Sequence, residues 1–201
     1  GGVETVVRDL ARHLPREVAR KVLVASETGA PKTEIIDGVE VTKVRSLGTI
    51  SSNPIAPSFP FALRRLARWA DVLHFHFPFP TGELSYLISG VKKPLVVTYH
   101  SDIIRQKGLL ALYRPFLERF LDRADLILAT SPAYIETSPY LAPRRDKCLV
   151  VPIGIDPSLY EVTPERAERA RAFRSSFPRD LPLALFVGRL IYYKGVQYLV
   201  R

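Results

Sequence analysis

The chain has 201 residues, 47% of them hydrophobic, and a formal net charge of +9. This length suits one complete globular domain and part of a second. No stretch approaches the roughly 20 consecutive apolar residues needed to cross a bilayer, and no charged and apolar leader opens the chain, so we expect a cytoplasmic protein. The single cysteine, Cys148, excludes an internal disulfide and any cysteine-rich metal site.

The first 60 residues are predicted to form a helix, three short strands and a loop. Apolar residues at helical spacing predict a helix that begins almost at the first residue. A strand follows at 21–26, and two strand-like runs within 33–45 surround Asp37 and Gly38, a strong hairpin signal. The segment 46–60 is rich in serine and proline and is predicted to be a loop.

The next segment is predicted to form a basic amphipathic helix, for which the sequence allows two surroundings. It either lies on anionic lipid, which would place the protein at the inner face of a membrane, or presents a solvated face while its apolar face packs on the core. The remaining arginines are scattered and no nucleic-acid module is recognisable, so we expect no nucleic-acid partner. The residues of this helix are Phe61, Leu63, Arg64, Arg65, Leu66, Arg68 and Trp69.

Strands and helices then alternate regularly as far as residue 151. The predicted strands are near-continuous apolar runs, which are typical of a parallel sheet covered by helices on both faces. The sequence therefore predicts an α/β fold with a doubly wound parallel sheet. The predicted strands are 72–77, 95–100, 126–130 and 148–151, and the predicted helices are 82–89, 109–121 and a short one after Ser131 and Pro132.

A turn-rich segment at 152–157 ends this domain and is predicted to be an interdomain hinge. We place the boundary near residue 160, which gives one domain at 1–160 and the start of a second at 161–201. A doubly wound domain normally opens with a strand, so we expect the first strand to precede Gly1.

The second domain is predicted to resume the rhythm of strands and helices. A charged helix covers 164–177, an apolar strand covers 183–187, and another helix begins at Gly195. That last helix reaches Arg201 after two turns, which is too short to be stable alone, so we expect this domain to continue.

Ligands of open α/β sheets bind beyond the carboxyl ends of the strands, and two segments at such positions suit a phosphate group. Gly1 and Gly2 precede a helix, where glycine allows close backbone approach while the amides and the helix dipole face an anion. A tight turn without a ligand would use the same residues. Arg189 at a strand end can grip phosphate oxygens, and Lys194 at the next helix start adds a point charge. Together they suit a diphosphate.

Two further segments carry histidines. His100 ends a strand beside Ser101 and Asp102, where an imidazole can exchange protons or hydrogen-bond a sugar hydroxyl, although a structural role is an alternative. His74 and His76 share one face of another strand, as metal ligands can. No third residue lies at a spacing typical of a metal ligand, so we expect these histidines to make hydrogen bonds at the strand end and to bind no metal.

Taken together, four motifs make the chain resemble glycosyltransferase family 4. They occur in the family's order and span the whole chain: GGVE at 1–4, TYHSD at 98–102, VVPIGID at 150–156, and FVGRL with KG at 186–195. The TYHSD and HFPFP segments are most similar to bacterial or archaeal mannosyl- and related hexosyltransferases that build surface polysaccharides or glycolipids.

The resemblance implies a retaining enzyme of the GT-B type, in which two Rossmann-like domains close over a nucleotide-sugar without a metal or other cofactor. The hexosyl group, mannosyl or similar, would pass to a glycolipid or saccharide acceptor. Arg189 and Lys194 would neutralise charge on the leaving nucleoside diphosphate, and His100 would contact the transferred sugar. The other implied site residues are Gly1 and Gly2 on the donor side and His76, Ser101 and Asp102 as acceptor-side candidates.

Two departures from the family pattern qualify this expectation. The family's acidic pair, which holds the donor, lies beyond Arg201, so we expect residues 1–201 alone to be inactive. Phe79 stands where close relatives would carry a polar residue. The alternatives are a GT-B-type sugar-nucleotide epimerase, for which Asp102 is the one placeable carboxylate, and a non-catalytic sugar-nucleotide-binding module. A dehydrogenase is disfavoured because no GxGxxG follows a strand.

Overall fold

The computed structural model describes residues 2–27, 31–51, 53–103, 107–178, 180–188, 190 and 194–200. The chain divides into two compact units, Gly1–Ile155 and Asp156–Arg201.

The first unit alternates helices with short strands. Its α-helices are α1 (Gly2–His13), α2 (Phe59–Ala67), α3 (Pro80–Ser89), α4 (Lys107–Asp122) and α5 (Pro132–Thr137). Its strands are β1 (Lys21–Ser26), β2 (Lys32–Ile36), β3 (Val39–Arg45), β4 (Thr49–Ile50), β5 (Asn53–Pro54), β6 (Leu73–Phe77), β7 (Leu95–Tyr99), β8 (Leu126–Ala129) and β9 (Cys148–Val150). A 3-10 helix, Ala142–Lys147, leads into β9.

The main sheet has four parallel strands in the order β6-β7-β8-β9. Successive strands are joined by helices, as parallel pairing requires. The register pairs Phe77 with Tyr99, Tyr99 with Ala129 and Ala129 with Val150, so all four strands end level with one another. The predicted α/β class with a parallel sheet is confirmed.

One face of this sheet packs against helices. Phe75 of β6 lies with its ring centroid 5.7 Å from Tyr86 of α3 and 5.4 Å from Phe120 of α4, both in edge-to-face geometry. Burying each such aromatic side chain stabilises the fold by roughly 1.5–3 kcal/mol. The same face carries fully buried core residues of β6, β7 and β8, namely Phe77, Leu95, Val97, Tyr99, Ile127 and Ala129.

A smaller sheet is built around a hairpin. β3 pairs with β2 in antiparallel fashion and with β1 in parallel fashion. Asp37 and Gly38 connect β2 to β3 with φ angles of 50° and 78°. Two consecutive residues in the left-handed region are what a two-residue hairpin turn with the twist of the strands requires, so the hairpin predicted at this dipeptide is confirmed.

The basic amphipathic helix is α2, which begins two residues earlier than predicted. Phe59 and Leu63 are buried, whereas Phe61 and Trp69 remain 73% and 46% exposed. Within the described ranges, no helix is both long and apolar enough to span a membrane.

The second unit contains α6 (Pro164–Ser175), the single turn α7 (Val196–Leu199) and a 3-10 helix at Pro157–Tyr160. The strand predicted at 183–187 is wrong, because this segment has no regular secondary structure. Leu185 and Val187 are 74% and 84% exposed. A strand needs a hydrogen-bonded neighbour, and the described part of this unit offers none.

Candidate functional site

Three of the candidate site residues lie at the carboxyl edge of the main sheet, because His100, Ser101 and Asp102 directly follow β7. The backbone N–H of His100 donates to the carbonyl oxygen of Phe77 at 3.0 Å, which extends the pairing of β6 and β7 by one residue. His100 is therefore held at the edge where ligands of parallel sheets bind.

Three imidazoles form a row on the face of the sheet opposite the helices. His76 Nδ1 lies 2.9 Å from His100 Nε2, and the two rings stack with centroids 5.2 Å apart. The ring of His74 stacks on His76 at 4.8 Å, and its Nε2 lies 2.7 Å from Thr98 Oγ1. The structure thus joins His100 and His76, which the sequence placed on separate strands.

Burial keeps this row neutral. It lowers the pKa of His76 to about 3, with smaller contributions from His74 and His100, and it also lowers the pKa of the other two imidazoles. Neutral imidazoles each carry one N–H and one lone pair, so the row can donate and accept hydrogen bonds near neutral pH. No group of three or more His, Cys, Asp or Glu among the described residues is arranged to hold a metal ion.

Asp102 ties the segment after β7 to the rest of the unit. The hydroxyls of Tyr99 and Ser138 both donate to its Oδ1 at 2.7 Å. Its own backbone N–H donates to the hydroxyl oxygen of Tyr134, also at 2.7 Å. Burial and the Asp102 carboxylate raise the pKa of Tyr99, which therefore stays protonated as the donor. Ser101, between His100 and Asp102, is exposed.

The phosphate-binding candidates of the first unit are at the start of α1. Gly2 is the first residue of that helix, and Gly1 lies outside the described residues. A methyl group built on Gly2 would meet no described atom within 4 Å. Packing within the described chain therefore does not require glycine here.

The candidates of the second unit are placed only in part. Arg189 lies outside the described residues. Lys194 is exposed and directly precedes Gly195, whose φ of +67° places it in the left-handed region at the start of α7.

A buried carboxyl group at the start of α3 was missed at the sequence level. Glu83 is 1% exposed, and its Oε1 accepts a hydrogen bond from the Phe79 N–H at 2.6 Å, while its Oε2 is buried without a hydrogen-bond partner among the described residues. Burial raises its pKa to about 8. An acidic residue in the first turn of a helix that begins with proline was the available signal.

Phe79, the departure from the family pattern, is a packing residue. Its ring contacts that of Phe59 in edge-to-face geometry with centroids 5.2 Å apart. A Cβ at position 82 would lie 2.5 and 2.8 Å from two of its ring carbons, so Gly82 makes room for the ring. Phe79 thus joins α2 to α3.

Comparison with known proteins identifies the family of the chain. Residues 1–159 match the sequence model of the family described as Glycosyltransferase Family 4. The chain is 38% identical over 203 residues to D-rhamnosyltransferase WbpZ of Pseudomonas aeruginosa, covering 100% of this chain and 52% of that protein. It is 33% identical over 207 residues to O-antigen chain mannosyltransferase C of Escherichia coli, covering 100% and 53%. The chain thus spans about half the length of these relatives, and it belongs to glycosyltransferase family 4.

Proposed function

We propose that the whole protein is a retaining glycosyltransferase that moves a hexosyl group, mannosyl or similar, from a nucleotide-sugar to a glycolipid or polysaccharide acceptor. The observation that carries this proposal is the neutral imidazole of His100, held at the carboxyl edge of a parallel sheet by hydrogen bonds to β6 through its backbone and its ring. Sugar hydroxyls are recognised by such uncharged donors and acceptors. The names of the two relatives support the class of the transferred group.

In this proposal the diphosphate is held by protein groups, without a metal. Arg189 and Lys194 supply positive charge to the departing nucleoside diphosphate, which stabilises the transition state electrostatically. Gly1 and Gly2 let backbone amides approach the phosphates or the sugar at the start of α1. The open space around Gly2 supports this role. Packing among the described residues does not require glycine at this position, whereas close approach of a ligand to the backbone would.

Of the acceptor-side candidates, Ser101 is the best placed for direct contact. Its side chain is exposed at the carboxyl edge. The carboxylate oxygen Oδ1 of Asp102 already receives two hydroxyl donors. A carboxylate engaged in this way is better suited to hold the loop than to act as the acid or base that an epimerase needs.

We also propose that α2 provides peripheral contact with anionic lipid, where a lipid-linked acceptor would lie. Phe61 and Trp69 are exposed beside Arg64, Arg65 and Arg68, which form no ion pair with the described residues. Phe61, Arg64 and Arg65 lie on α2, and Arg68 and Trp69 directly follow it. Exposed aromatic and basic residues grouped in this way are the combination that binds anionic interfaces. A vesicle sedimentation assay with and without anionic lipid, comparing wild type with Phe61→Ser, tests this contact.

The transfer reaction is tested on the full-length protein with a panel of nucleotide-sugars, with and without lipid acceptors, following nucleoside diphosphate release. Arg189→Ala, Lys194→Ala and His100→Ala should each lower kcat by roughly 100-fold or more for one donor. Lys92→Ala removes an exposed lysine just before β7, at the opposite edge of the sheet, and should leave the rate within about twofold.

The outcomes separate the competing functions. Turnover of one donor with retained anomeric configuration supports the transferase. Epimerisation of a donor, or binding without cleavage, would replace it with the epimerase or the binding module. Equal rates for Lys92→Ala and Lys194→Ala would remove Lys194 from the diphosphate site.

A further inference from the structure

The contact between His76 and His100 joins one particular nitrogen of each ring. β6 and β7 pair in a register that sets His76 opposite Thr98, two residues before His100. The ring of His100 nevertheless reaches back so that its Nε2 lies 2.9 Å from Nδ1 of His76, with the rings inclined by 19°. The backbone N–H of His100 is bound by Phe77, the residue after His76. Consecutive residues of β6 thus hold both the backbone and the ring of His100.

This contact couples the proton positions of His76 and His100. The N–H must lie on one of the two facing nitrogens, because two neutral imidazoles bond only when one donates and the other accepts. If His76 Nδ1 donates, the proton of His100 is on Nδ1. If His100 Nε2 donates, its Nδ1 carries a lone pair. In both cases the bond sets whether Nδ1 of His100 donates or accepts, and that atom has no hydrogen-bond partner among the described residues.

None of the other described groups near the pair bonds to either of the two facing nitrogens, so the tautomer of His100 depends on His76. On its far side His76 stacks against His74, whose Nε2 is bonded to Thr98 and not to either partner. Asp102, the carboxylate next along the chain, receives the hydroxyls of Tyr99 and Ser138 at its Oδ1. No ion pair involves the three imidazoles among the described residues.

We propose that His76 is a positioning residue, which orients the ring of His100 and selects the tautomer that His100 presents to the transferred sugar. This inference rests on the proposed transferase function and deepens it. It moves His76 from the acceptor side of the site to a supporting role behind His100. A second residue that fixes the tautomer of a functional histidine through its other ring nitrogen is a common arrangement in active sites.

Substitutions at position 76 in the full-length protein test the role. Asparagine places its amide group near the position of Nδ1, so His76→Asn should keep kcat within about threefold of wild type. His76→Leu should lower kcat by about 10- to 100-fold with little change in KM, because misplacing a catalytic contact acts on the transition state. His74→Leu is the matched control on the same strand face and should leave both parameters nearly unchanged. Equal kcat values for the two leucine variants would overturn the proposal.

A second measurement reads the tautomer without requiring turnover. In protein labelled with ¹⁵N-histidine, His100 should show one tautomer in wild type and His76→Asn, and a mixture in His76→Leu. An unchanged His100 signal in His76→Leu would overturn the positioning role while leaving the transferase proposal intact. A changed signal in a protein that transfers no sugar would instead overturn the transferase function, and with it the role of His76 in the reaction.

Discussion

The two faces of β6 in the main sheet carry different kinds of side chain. Toward the helices, Phe75 packs against Tyr86 and Phe120, and this side also holds α3 with its buried Glu83. The opposite face carries His74 and His76. Both faces thus contain titratable groups in their neutral forms, but the groups are an acid on one side and bases on the other. The same physical cost, burying charge, therefore makes one face sensitive to alkali and the other to acid.

The largest contrast is expected from truncating an aromatic on the helix-packed face. Phe120 is fully buried and contacts both Phe75 and Tyr86, so Phe120→Ala should lower the free energy of unfolding by about 3–5 kcal/mol through lost burial and a residual cavity. His74→Ala on the other face should cost about 1 kcal/mol or less. Urea unfolding followed by circular dichroism measures both. Comparable losses would show that the two faces are packed alike.

The loss of folding stability at alkaline pH depends on Glu83. Its pKa is about 8 in the folded chain, against 4.5 for an ordinary glutamate, so its stabilising contribution is complete below pH 4.5 and is lost as pH rises to 8. The loss should amount to a few kcal/mol. Glu83→Gln keeps the acceptor for the Phe79 N–H and cannot ionise, so the decline of thermal stability with pH above 6.5 should nearly disappear. Exposed Glu136→Gln is the control, and a matching change there would remove Glu83 as the cause.

The acid side depends on the histidine row. His76 has a folded pKa of about 3 against 6.5 when unfolded, so its contribution is present above pH 6.5 and is lost as pH falls toward 3. After allowing for solvent around a half-buried ring, the loss is about 1–2 kcal/mol. His76→Asn should flatten the acid arm of the stability profile. Because Glu83 opposes this slope between pH 4.5 and 6.5, the acid arm is measured in the Glu83→Gln background, where a profile that is flat from pH 4 to 6.5 would contradict this expectation.

The last effect, similar in size to that of His76, concerns the segment that follows β7. Ser138 is fully buried and donates to Asp102, so Ser138→Ala should cost about 1–2 kcal/mol and loosen the loop after His100. Amide hydrogen exchange at 100–103 should accelerate. Thr137→Ala, at the exposed neighbour, should change neither quantity measurably. Unaltered exchange in Ser138→Ala would mean that Tyr99 and Tyr134 suffice to hold the loop.

Much of the fold was accessible from the sequence because its cues are local. The apolar run predicted a strand at 95–100 and Asp37–Gly38 predicted the hairpin, and both are confirmed. The equally apolar run at 183–187 gave the same prediction, but strand formation depends on a neighbouring strand and no local pattern shows whether one is present. Hydrophobic periodicity is a property of one segment, whereas strand pairing depends on residues elsewhere in the sheet.

The site was predictable only to the level of its strand ends. The sequence placed His76 and His100 at the ends of two strands, yet their contact depends on the register of β6 against β7, which no motif encodes. Glu83 was missed because the desolvation of a carboxyl group is a property of how α3 packs. The placement of Arg189 lies outside the described residues, so its role stays a prediction.

The close fit of Phe79 over Gly82 also constrains how this protein can change over generations. Any side chain at position 82 would collide with the ring of Phe79, whereas a small polar residue at position 79 would leave empty space between α2 and α3. The order of substitutions therefore matters: position 79 must shrink before position 82 can grow. A lineage that acquired a polar residue at 79 would pass through a less stable intermediate and regain stability by a later change at 82, so these two positions should evolve as a pair.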